Sequence, residues 1–455
     1  MDWTDRYTTP LAEVFTRGHK LALEHRVELA LLKALGKLGK VPAEAYDEVK
    51  AAVDAGKVTL ERTLDIERET HHDIMAMVKA MGEQAPTHGG LVHYGATSQD
   101  INDSVMALQL GECRDELLAS CRHVRAELTR LAKAHRTTVC IGRTHGQHAV
   151  PVTMGFKFAN HLYELAEAER FLERVKLLGK FHGAVGTFAS LGGSDDVKRL
   201  VMEELGLEAA PITTQVVSRL HLADFVFALS AITAALERLG KEVRNLQRTE
   251  VGELMEGFGA KQVGSSTMPQ KRNPHKSERI CGLARVVRAQ IQPLMETVAL
   301  EHERDLTNSS LERVVLPTGI VLTHYILLEA RNLLQKLCVL PEGVERNLRA
   351  GKGAQLAERI MMALADRLGR QEAHEILRTT ASAGDFEAAL LANDKVMSVL
   401  SPEDITSLLD PETYTGRAPV LVDEIVAAYG VEAEGTKGEA GVAAAAAAAA
   451  GEASA

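Results

Sequence analysis

The segment from Gly264 to Pro274, with the sequence GSSTMPQKRNP, concentrates residue types that can bind a negative charge. Gly264 permits backbone torsions that other residues disfavour, and Lys271 and Asn273 place a cation and an amide close together. A loop of this kind can surround a carboxylate with backbone N–H groups and charged donors. An ordinary surface loop with exposed cations is the alternative interpretation of the same composition.

Two further segments are rich in Gly, Ser, Thr and His. Gly142–Val150 (GRTHGQHAV) contains His145 and a second histidine three residues later. A histidine titrates near neutral pH and can therefore donate a proton in catalysis, although a single histidine is more often structural. The other segment, His93–Asp103 (HYGATSQDIND), brings the hydroxyl groups of Thr97 and Ser98. We expect all three segments to be loops held by a rigid scaffold, where chemistry is often placed.

Taken together, the three segments resemble the signature motifs of the fumarase/aspartase superfamily. Gly264–Pro274 matches the pattern GSSxMPxKxNP at every defined position, while GRTHGQHAVP and HYGATSQD resemble the other two motifs. The similarity is greatest to the branch that eliminates fumarate from nucleotide succinyl-amines in purine biosynthesis. It extends from about residue 6 to residue 313, and more loosely to about residue 429. The additional segments that carry it are Asp5–Tyr7, Glu69–Asp73, Thr214–Val217, Arg244–Glu250 and His302–Arg313.

The resemblance implies a role for each candidate site residue. Ser265 is the expected base that removes a proton next to a carboxylate, and His145 is the expected acid that protonates the leaving nitrogen. Glu278 is expected to orient that histidine. The side chains expected to stabilise the resulting aci-carboxylate are Lys271, Asn273, Thr97 and Ser98. The other side chains expected to bind the substrate are Arg6, Tyr7, His71, His72, Asp73, Gln215, Arg304, Ser309 and Arg313. No metal or organic cofactor is implied.

Two positions depart from the pattern of that branch. His71 stands where Arg or Lys is usual, and a histidine is only partly charged at pH 7, which weakens one expected contact with a phosphate or carboxylate. Ser218 stands where a proline is usual. The wording GATSQD is closer to the carboxymuconate cycloisomerases, so another superfamily lyase, such as 3-carboxymuconate cycloisomerase, is the alternative function. A non-catalytic protein on the same scaffold would be expected to lose Ser265, His145 or Lys271, yet this chain keeps them.

The elements that must position these residues are predicted to be helices. Hydrophobic residues make up 45% of the 455 residues but aromatic residues only 4%, which favours helices packed by aliphatic side chains. The net charge of −10 argues against a nucleic-acid binder. Five scattered cysteines without metal-ligand spacing, and no secretory signal at the start of the sequence, indicate a reduced, cytoplasmic protein.

Apolar spacing predicts several long helices. The clearest seam steps by three and four residues and comprises Leu222, Phe225, Leu229, Ile232, Leu236, Leu239, Val243 and Leu246. A second comprises Leu117, Cys121, Val124, Leu128 and Leu131. A third comprises Val287, Ile291, Leu294 and Val298. A fourth helix is expected to follow Pro317, through Ile320, Leu327 and Leu334.

The predicted fold class is all-α, a fumarase/aspartase-like helical fold of three domains with a central bundle of long helices. The predicted domains are 1–111, 112–348 and 349–431. They are followed at 432–455 by a disordered tail rich in Ala and Gly, which has no apolar face to bury. The resemblance further implies a homotetramer in which loops of three chains form each active site around a small nucleotide substrate. No nucleic acid or membrane partner is expected.

Overall fold

The computed structural model describes residues 3–259, 264, 266–381 and 384–432, with side chains from residue 5 onward. Within these residues the fold is almost entirely helical. The helices are α1 (Trp3–Tyr7), α2 (Arg17–Lys37), α3 (Glu44–Asp54), α4 (Leu60–Thr70), α5 (Asp73–Glu83), α6 (Ser98–Ala134), α7 (Met154–Glu173), α8 (Asp196–Leu205), α9 (Leu220–Leu246), α10 (His275–Ala289), α11 (Ile291–Glu296), α12 (Thr307–Gln335), α13 (Pro341–Arg349), α14 (Ala357–Leu368), α15 (Arg370–Thr380), α16 (Phe386–Leu391), α17 (Asp394–Met397), α18 (Pro402–Leu408) and α19 (Ala418–Tyr429).

Short strands form three two-stranded sheets. Their strands are β1 (Val139–Thr144), β2 (Gln147–Thr153), β3 (Leu178–Gly179), β4 (Glu208–Ala209), β5 (Leu254–Met255) and β6 (Cys338–Val339). The pairs β1–β2 and β5–β6 are antiparallel, whereas β3–β4 is parallel. Short 3₁₀ helices lie at Pro10–Phe15, Gly89–Leu91, Ala189–Leu191, Ala354–Leu356 and Pro411–Thr413. The predicted all-α fold class is confirmed.

The chain divides into two compact units. The first comprises Met1–Ser120, Ala168–Leu236 and Ile280–Leu328. Its main core forms where α2 packs against α3, α4 and α8. The second comprises Cys121–Glu167, Glu237–Arg279 and Glu329–Ala455. It contains a small core around Phe386 and the β1–β2 hairpin, which contacts α13 and α19. The division into three domains remains a prediction, and residues 433–455 of the predicted tail lie outside the described residues.

Two of the predicted seams are confirmed. All eight apolar residues of the first seam are buried on α9, and the five residues of the second are buried on α6. Both α9 and α12 are long and apolar enough to cross a bilayer, but 67% and 61% of their most apolar windows are buried within the protein. This is the pattern of core helices, so length and composition here are weak evidence for a membrane span.

The prediction that the third seam lies on one continuous helix is wrong. The helix ends at Ala289 and α11 restarts at Ile291, while Val298 lies beyond both and is 38% exposed. Pro293 explains the break, because proline has no N–H to continue the hydrogen-bond ladder and is tolerated only in a first turn.

The predicted start of the fourth helix is also wrong, since α12 begins at Thr307 and contains Pro317 in its interior. Two segments predicted as loops are partly regular. Ser98 already begins α6, and Gly142–Val150 lies largely within the two strands of the β1–β2 hairpin.

Candidate active site

A cavity of about 780 Å³ in the first unit collects most of the predicted substrate-binding residues. We call it the first cavity. It is lined by side chains from α2, from the α4–α5 turn, from the start of α6, from the segment before α9 and from the start of α12. The predicted residues that line it are His71, His72, Asp73, Thr97, Ser98, Gln215, Arg304, Ser309 and Arg313. The structure therefore brings together residues that are up to 242 positions apart, from His71 to Arg313.

The turn between α4 and α5 is built from the two histidines. His71 ends α4 in the left-handed conformation, with φ of 52°, and its N–H bonds to the Glu67 carbonyl. His72 caps α5, because its Nδ1 accepts the N–H of Met75 at 3.3 Å. A neutral imidazole whose Nδ1 accepts must carry its proton on Nε2. That Nε2 lies 3.5 Å from Ser98 Oγ, so the cap directs a donor at this hydroxyl.

Asp73 begins α5 and lies between two cations of the first cavity. Its carboxylate is 3.5 Å from Lys20 Nζ and 3.7 Å from Arg313 Nη2, and it accepts the N–H of Ile74. Burial is the largest single influence and raises the pKa of Asp73, but Lys20, the Ile74 N–H and Arg313 together hold that pKa below its ordinary value. Asp73 therefore stays ionised and attracts both cations.

Arg304 is the cation of this cavity best placed to meet an anionic ligand. Its guanidinium bonds to Gln215 Oε1 at 3.1 Å and lies 3.4 Å from Asn308 Oδ1. The Gln99 amide oxygen also accepts from it once that amide is oriented with its oxygen toward the guanidinium. Burial lowers the pKa of Arg304, but an arginine remains charged. Within the described part of the chain no carboxylate lies within ion-pair distance of Arg304, so its charge is available to a phosphate or carboxylate.

Thr97 and Ser98 stand at the start of α6. The Thr97 N–H donates to Asp100 Oδ2 at 2.9 Å, one helical turn further on. Asp100 is fully buried and paired with Lys180 Nζ at 2.5 Å, and it also accepts the N–H of His182. This buried ion pair holds the α6 start in place, so the two hydroxyls are presented by a fixed backbone.

Sequence reasoning missed a buried charge cluster, formed by Arg219, Asp103 and Glu312, that also lines the first cavity. Arg219 donates to both oxygens of Asp103 at 3.1 and 2.9 Å, and to Glu312 at 2.8 Å. It also donates to the carbonyl of Val217 at 3.0 Å, while the Val217 N–H donates to Asp103. Asp103 and Glu312 each lie within a motif singled out by the sequence, but only the fold shows that one arginine joins them.

Arg6 and Tyr7 do not line the first cavity. Arg6 is exposed on α1, and the ring of Tyr7 packs edge-on against Tyr325 with centroids 5.2 Å apart. Their role in substrate binding remains a prediction.

A second cavity, of about 670 Å³, lies in the second unit beside the 264–274 loop. Three predicted residues line it: Lys271, Asn273 and Glu278. The other charged residues that line it are Lys241, Arg244, Arg248 and Arg272, so Glu278 is the single carboxylate among five cations of the lining. This excess of positive charge favours an anionic ligand against the negative charge of the whole chain.

The described part of the 264–274 loop is closed by its own residues. Asn273 Nδ2 donates to the Gly264 carbonyl at 2.9 Å. A Cβ at position 264 would lie 2.1 Å from the Lys271 carbonyl oxygen, so only glycine fits there. Ser265, the predicted base, lies outside the described residues.

His145 is at the tip of the β1–β2 hairpin. Thr144 pairs with Gln147, which leaves His145 and Gly146 as a two-residue turn with φ of 54° and 74°. Positive φ at both positions is typical of a type I′ turn. His145 is exposed and lines neither the first nor the second cavity.

The hairpin that carries His145 has a rigid stem. Two residues before the tip, Arg143 donates to both carboxylate oxygens of the fully buried Glu253, which also accepts from Asn347. The exposed tip is therefore supported by a buried, bidentate ion pair.

Among the described residues no group of three or more His, Cys, Asp or Glu side chains has the arrangement of a metal site. The polar groups that line the two cavities are cations, imidazoles, hydroxyls, amides and carboxylates. They can bind an anion and transfer protons.

Comparison with known proteins first defines the class. Residues 3–289 match the family model described as Lyase, and residues 353–425 match the one described as Adenylosuccinate lyase C-terminus. Two solved structures share the fold at TM-scores of 0.85 and 0.84. The first is a fumarate lyase from Mesorhizobium sp. BNC1, which is 30% identical in sequence; the match covers 92% of this chain and 98% of that one. The second is a 3-carboxy-cis,cis-muconate lactonizing enzyme from Pseudomonas putida, which is 31% identical; the match covers 94% of this chain and 98% of that one. The protein is therefore a helical lyase.

Three relatives identify the family within this class of lyases to which the chain belongs. The adenylosuccinate lyase of Pyrococcus abyssi is 44% identical over 91% of this chain and 94% of its own length. The adenylosuccinate lyase of Methanocaldococcus jannaschii is 44% identical over 92% of this chain and 94% of its own length. The adenylosuccinate lyase of Bacillus subtilis is 36% identical over 88% of this chain and 94% of its own length. The chain belongs to the adenylosuccinate lyase family.

Proposed function

We propose that the protein eliminates fumarate from adenylosuccinate to give AMP, and from SAICAR to give AICAR, in purine biosynthesis in the cytoplasm. The observation that carries this proposal is the 36–44% identity to adenylosuccinate lyases over about nine tenths of the chain. The first cavity supports it, because Arg304, Arg313 and Ser309 line one wall and suit a phosphate or carboxylate.

In this reaction Ser265 takes the proton from the carbon next to a succinyl carboxylate. The electron pair left on that carbon then forms the carbon–carbon double bond of fumarate while the C–N bond breaks. The electron pair of the C–N bond goes to nitrogen, and His145 donates a proton to that nitrogen. Lys271 and Asn273 stabilise the negative charge that develops on the carboxylate. A serine hydroxyl is a weak base, so this role requires positive charge and N–H donors that stabilise its alkoxide form.

The direct test is the change in ultraviolet absorbance when the purified protein is mixed with adenylosuccinate. We expect equimolar fumarate and AMP, and the same reaction with SAICAR. Turnover of 3-carboxy-cis,cis-muconate without turnover of adenylosuccinate would instead assign the lactonizing activity named for the Pseudomonas putida enzyme.

We further propose that the protein is a homotetramer with active sites shared between chains. Exposed apolar side chains on the long helices support this proposal, namely Phe227 on α9 and Val314 on α12, which are 48% and 64% exposed. A predicted acid that lines neither cavity is also consistent with a site completed by another chain. Light scattering at micromolar concentration should give the mass of four chains, and an active monomer would refute the proposal.

Shared sites predict complementation between two inactive variants. If Ser265 and His145 of one site come from different chains, mixing Ser265→Ala with His145→Ala chains should restore part of the activity after subunit exchange. Absence of recovery, when exchange is demonstrated with labelled chains, would count against this arrangement.

A further inference from the structure

The helix that follows the 264–274 loop begins without a capping side chain of its own. The N–H of Glu278 bonds to the carbonyl of Pro274 at 3.0 Å, which makes Pro274 the residue at the N-cap position of α10. A cap residue normally accepts the N–H groups of the second or third helical residue with a side-chain oxygen. Proline has no such oxygen, so the N–H groups of Lys276 and Ser277 need an acceptor from elsewhere.

Glu256, from the segment after β5, supplies that acceptor. Its Oε1 accepts the Ser277 N–H at 2.8 Å and the Ser277 hydroxyl at 2.7 Å. Its Oε2 accepts the Lys276 N–H at 3.2 Å. Glu256 is 1% exposed and Ser277 is fully buried. A buried carboxylate at a helix start is stabilised by the free N–H groups and by the helix dipole, so this contact is strong as well as specific.

Gln247, just beyond the end of α9, links this cap to the loop. Its Oε1 accepts the backbone N–H of Glu256 at 2.8 Å, and its Nε2 donates to the carbonyl of Arg272 at 3.1 Å. One side chain therefore fixes both the residue that caps α10 and a residue of the loop beside the second cavity. Gln247 and Arg272 both line that cavity.

We infer that Gln247 and Glu256 are positioning residues of the active site. They form a clamp on the carboxyl-terminal end of the 264–274 loop, on both sides of Asn273, and hold Glu278 at the first turn of α10. The expected effect on catalysis rests on the proposed function. The hydrogen bonds of the clamp can be tested without a measurement of activity.

The test compares Glu256→Gln and Gln247→Leu with the control Glu250→Gln. Glu256→Gln keeps the shape but turns an NH₂ group toward N–H donors, whereas Gln247→Leu removes both of its hydrogen bonds. Glu250 is an exposed carboxylate in the same stretch of chain and lines neither cavity. Amide hydrogen exchange of the peptide that contains Lys276 and Ser277 is measured by mass spectrometry, together with kcat and KM for adenylosuccinate.

We expect exchange at the α10 start to become at least about tenfold faster in both clamp variants. We expect kcat to fall by about 10- to 100-fold, because a displacement of about 1 Å at reacting groups costs on that order, while KM changes by less than about threefold. Glu250→Gln should match the wild type in every measurement. The thermal transition should remain that of a folded protein, which separates a displaced loop from a general loss of structure.

Two results would overturn the inference. One is wild-type exchange at the α10 start in both clamp variants, and the other is faster exchange with unchanged kcat. A wild-type protein without lyase activity would instead reject the proposed function, and the exchange measurement would still decide whether the clamp exists.

Discussion

Replacing Arg219 by methionine removes the cation that joins two buried carboxylates in the lining of the first cavity. Arg219 contributes five hydrogen bonds to Asp103, Glu312 and the Val217 carbonyl, and its side chain is 4% exposed. Methionine has a similar length but no charge. The variant therefore leaves Asp103 and Glu312 buried, close together and without their common partner.

The cost follows from that burial. Removing one partner of a buried ion pair typically destabilises a protein by about 3–5 kcal/mol, because the remaining charge is uncompensated. Burial is already the largest influence on Glu312 and raises its pKa even with Arg219 present. A carboxyl whose folded pKa is raised favours the folded state at low pH and loses that contribution as pH rises through the folded pKa. The destabilisation by Arg219→Met should therefore be larger at pH 8 than at pH 5.5.

Urea unfolding followed by circular dichroism at the two pH values measures this difference. The control is Arg62→Met, because Arg62 forms an exposed bidentate pair with Glu83, and solvent-exposed pairs contribute little to stability. The double variant Arg219→Met/Glu312→Gln should recover part of the loss, since it removes one of the unpaired charges. An Arg219→Met loss no larger than that of the control, or the same at both pH values, would refute the reasoning.

Further predictions concern catalysis, pH and the tail. Ser265→Ala and His145→Ala should each lower kcat by about 10²–10⁴-fold and still bind substrate, because general acid–base groups contribute on that order. The control Ser266→Ala should stay active. An inactive Ser266→Ala together with an active Ser265→Ala would show that the base is misassigned by one residue. Burial lowers the pKa of His93, but the hydrogen bond and the charge of the buried Glu28 outweigh it and raise that pKa above its ordinary value. A histidine with a raised folded pKa stabilises the folded state at low pH, so His93→Gln should destabilise the protein more at pH 6 than at pH 9, as measured by urea unfolding. Deleting residues 432–455 should shift the melting temperature by no more than a few degrees, and a larger drop would show that the tail docks.

The helices were predictable where one physical signal dominated. The three-and-four spacing from Leu222 to Leu246 predicted α9, because a face of that period can only be buried along a helix. The same reasoning failed between Val287 and Val298, where the apolar spacing continues but Pro293 stops the hydrogen-bond ladder. Proline chemistry, which is local, overrode periodicity there.

The site was predictable as a set of residues but not as a set of contacts. The resemblance selected nine residues that the fold gathers into the first cavity, and three that line the second. It could not indicate that Arg219 joins α6 to α12, or that Glu256 caps a helix 19 residues further on. Such partners are set by tertiary packing, and a single sequence contains no periodicity that links them.

The two-residue turn that carries His145 has a consequence for how well this hairpin can be stabilised. Both turn residues require positive φ, and Asn-Gly is the preferred pair for such a turn, because the short polar side chain of Asn can hydrogen-bond locally in that conformation. His145→Asn should therefore make the hairpin more stable while it removes the proposed acid. In that case His145 would lower the stability of the hairpin while it supplies the proposed catalytic acid. Selection for heat resistance alone would then favour the replacement of histidine at this position.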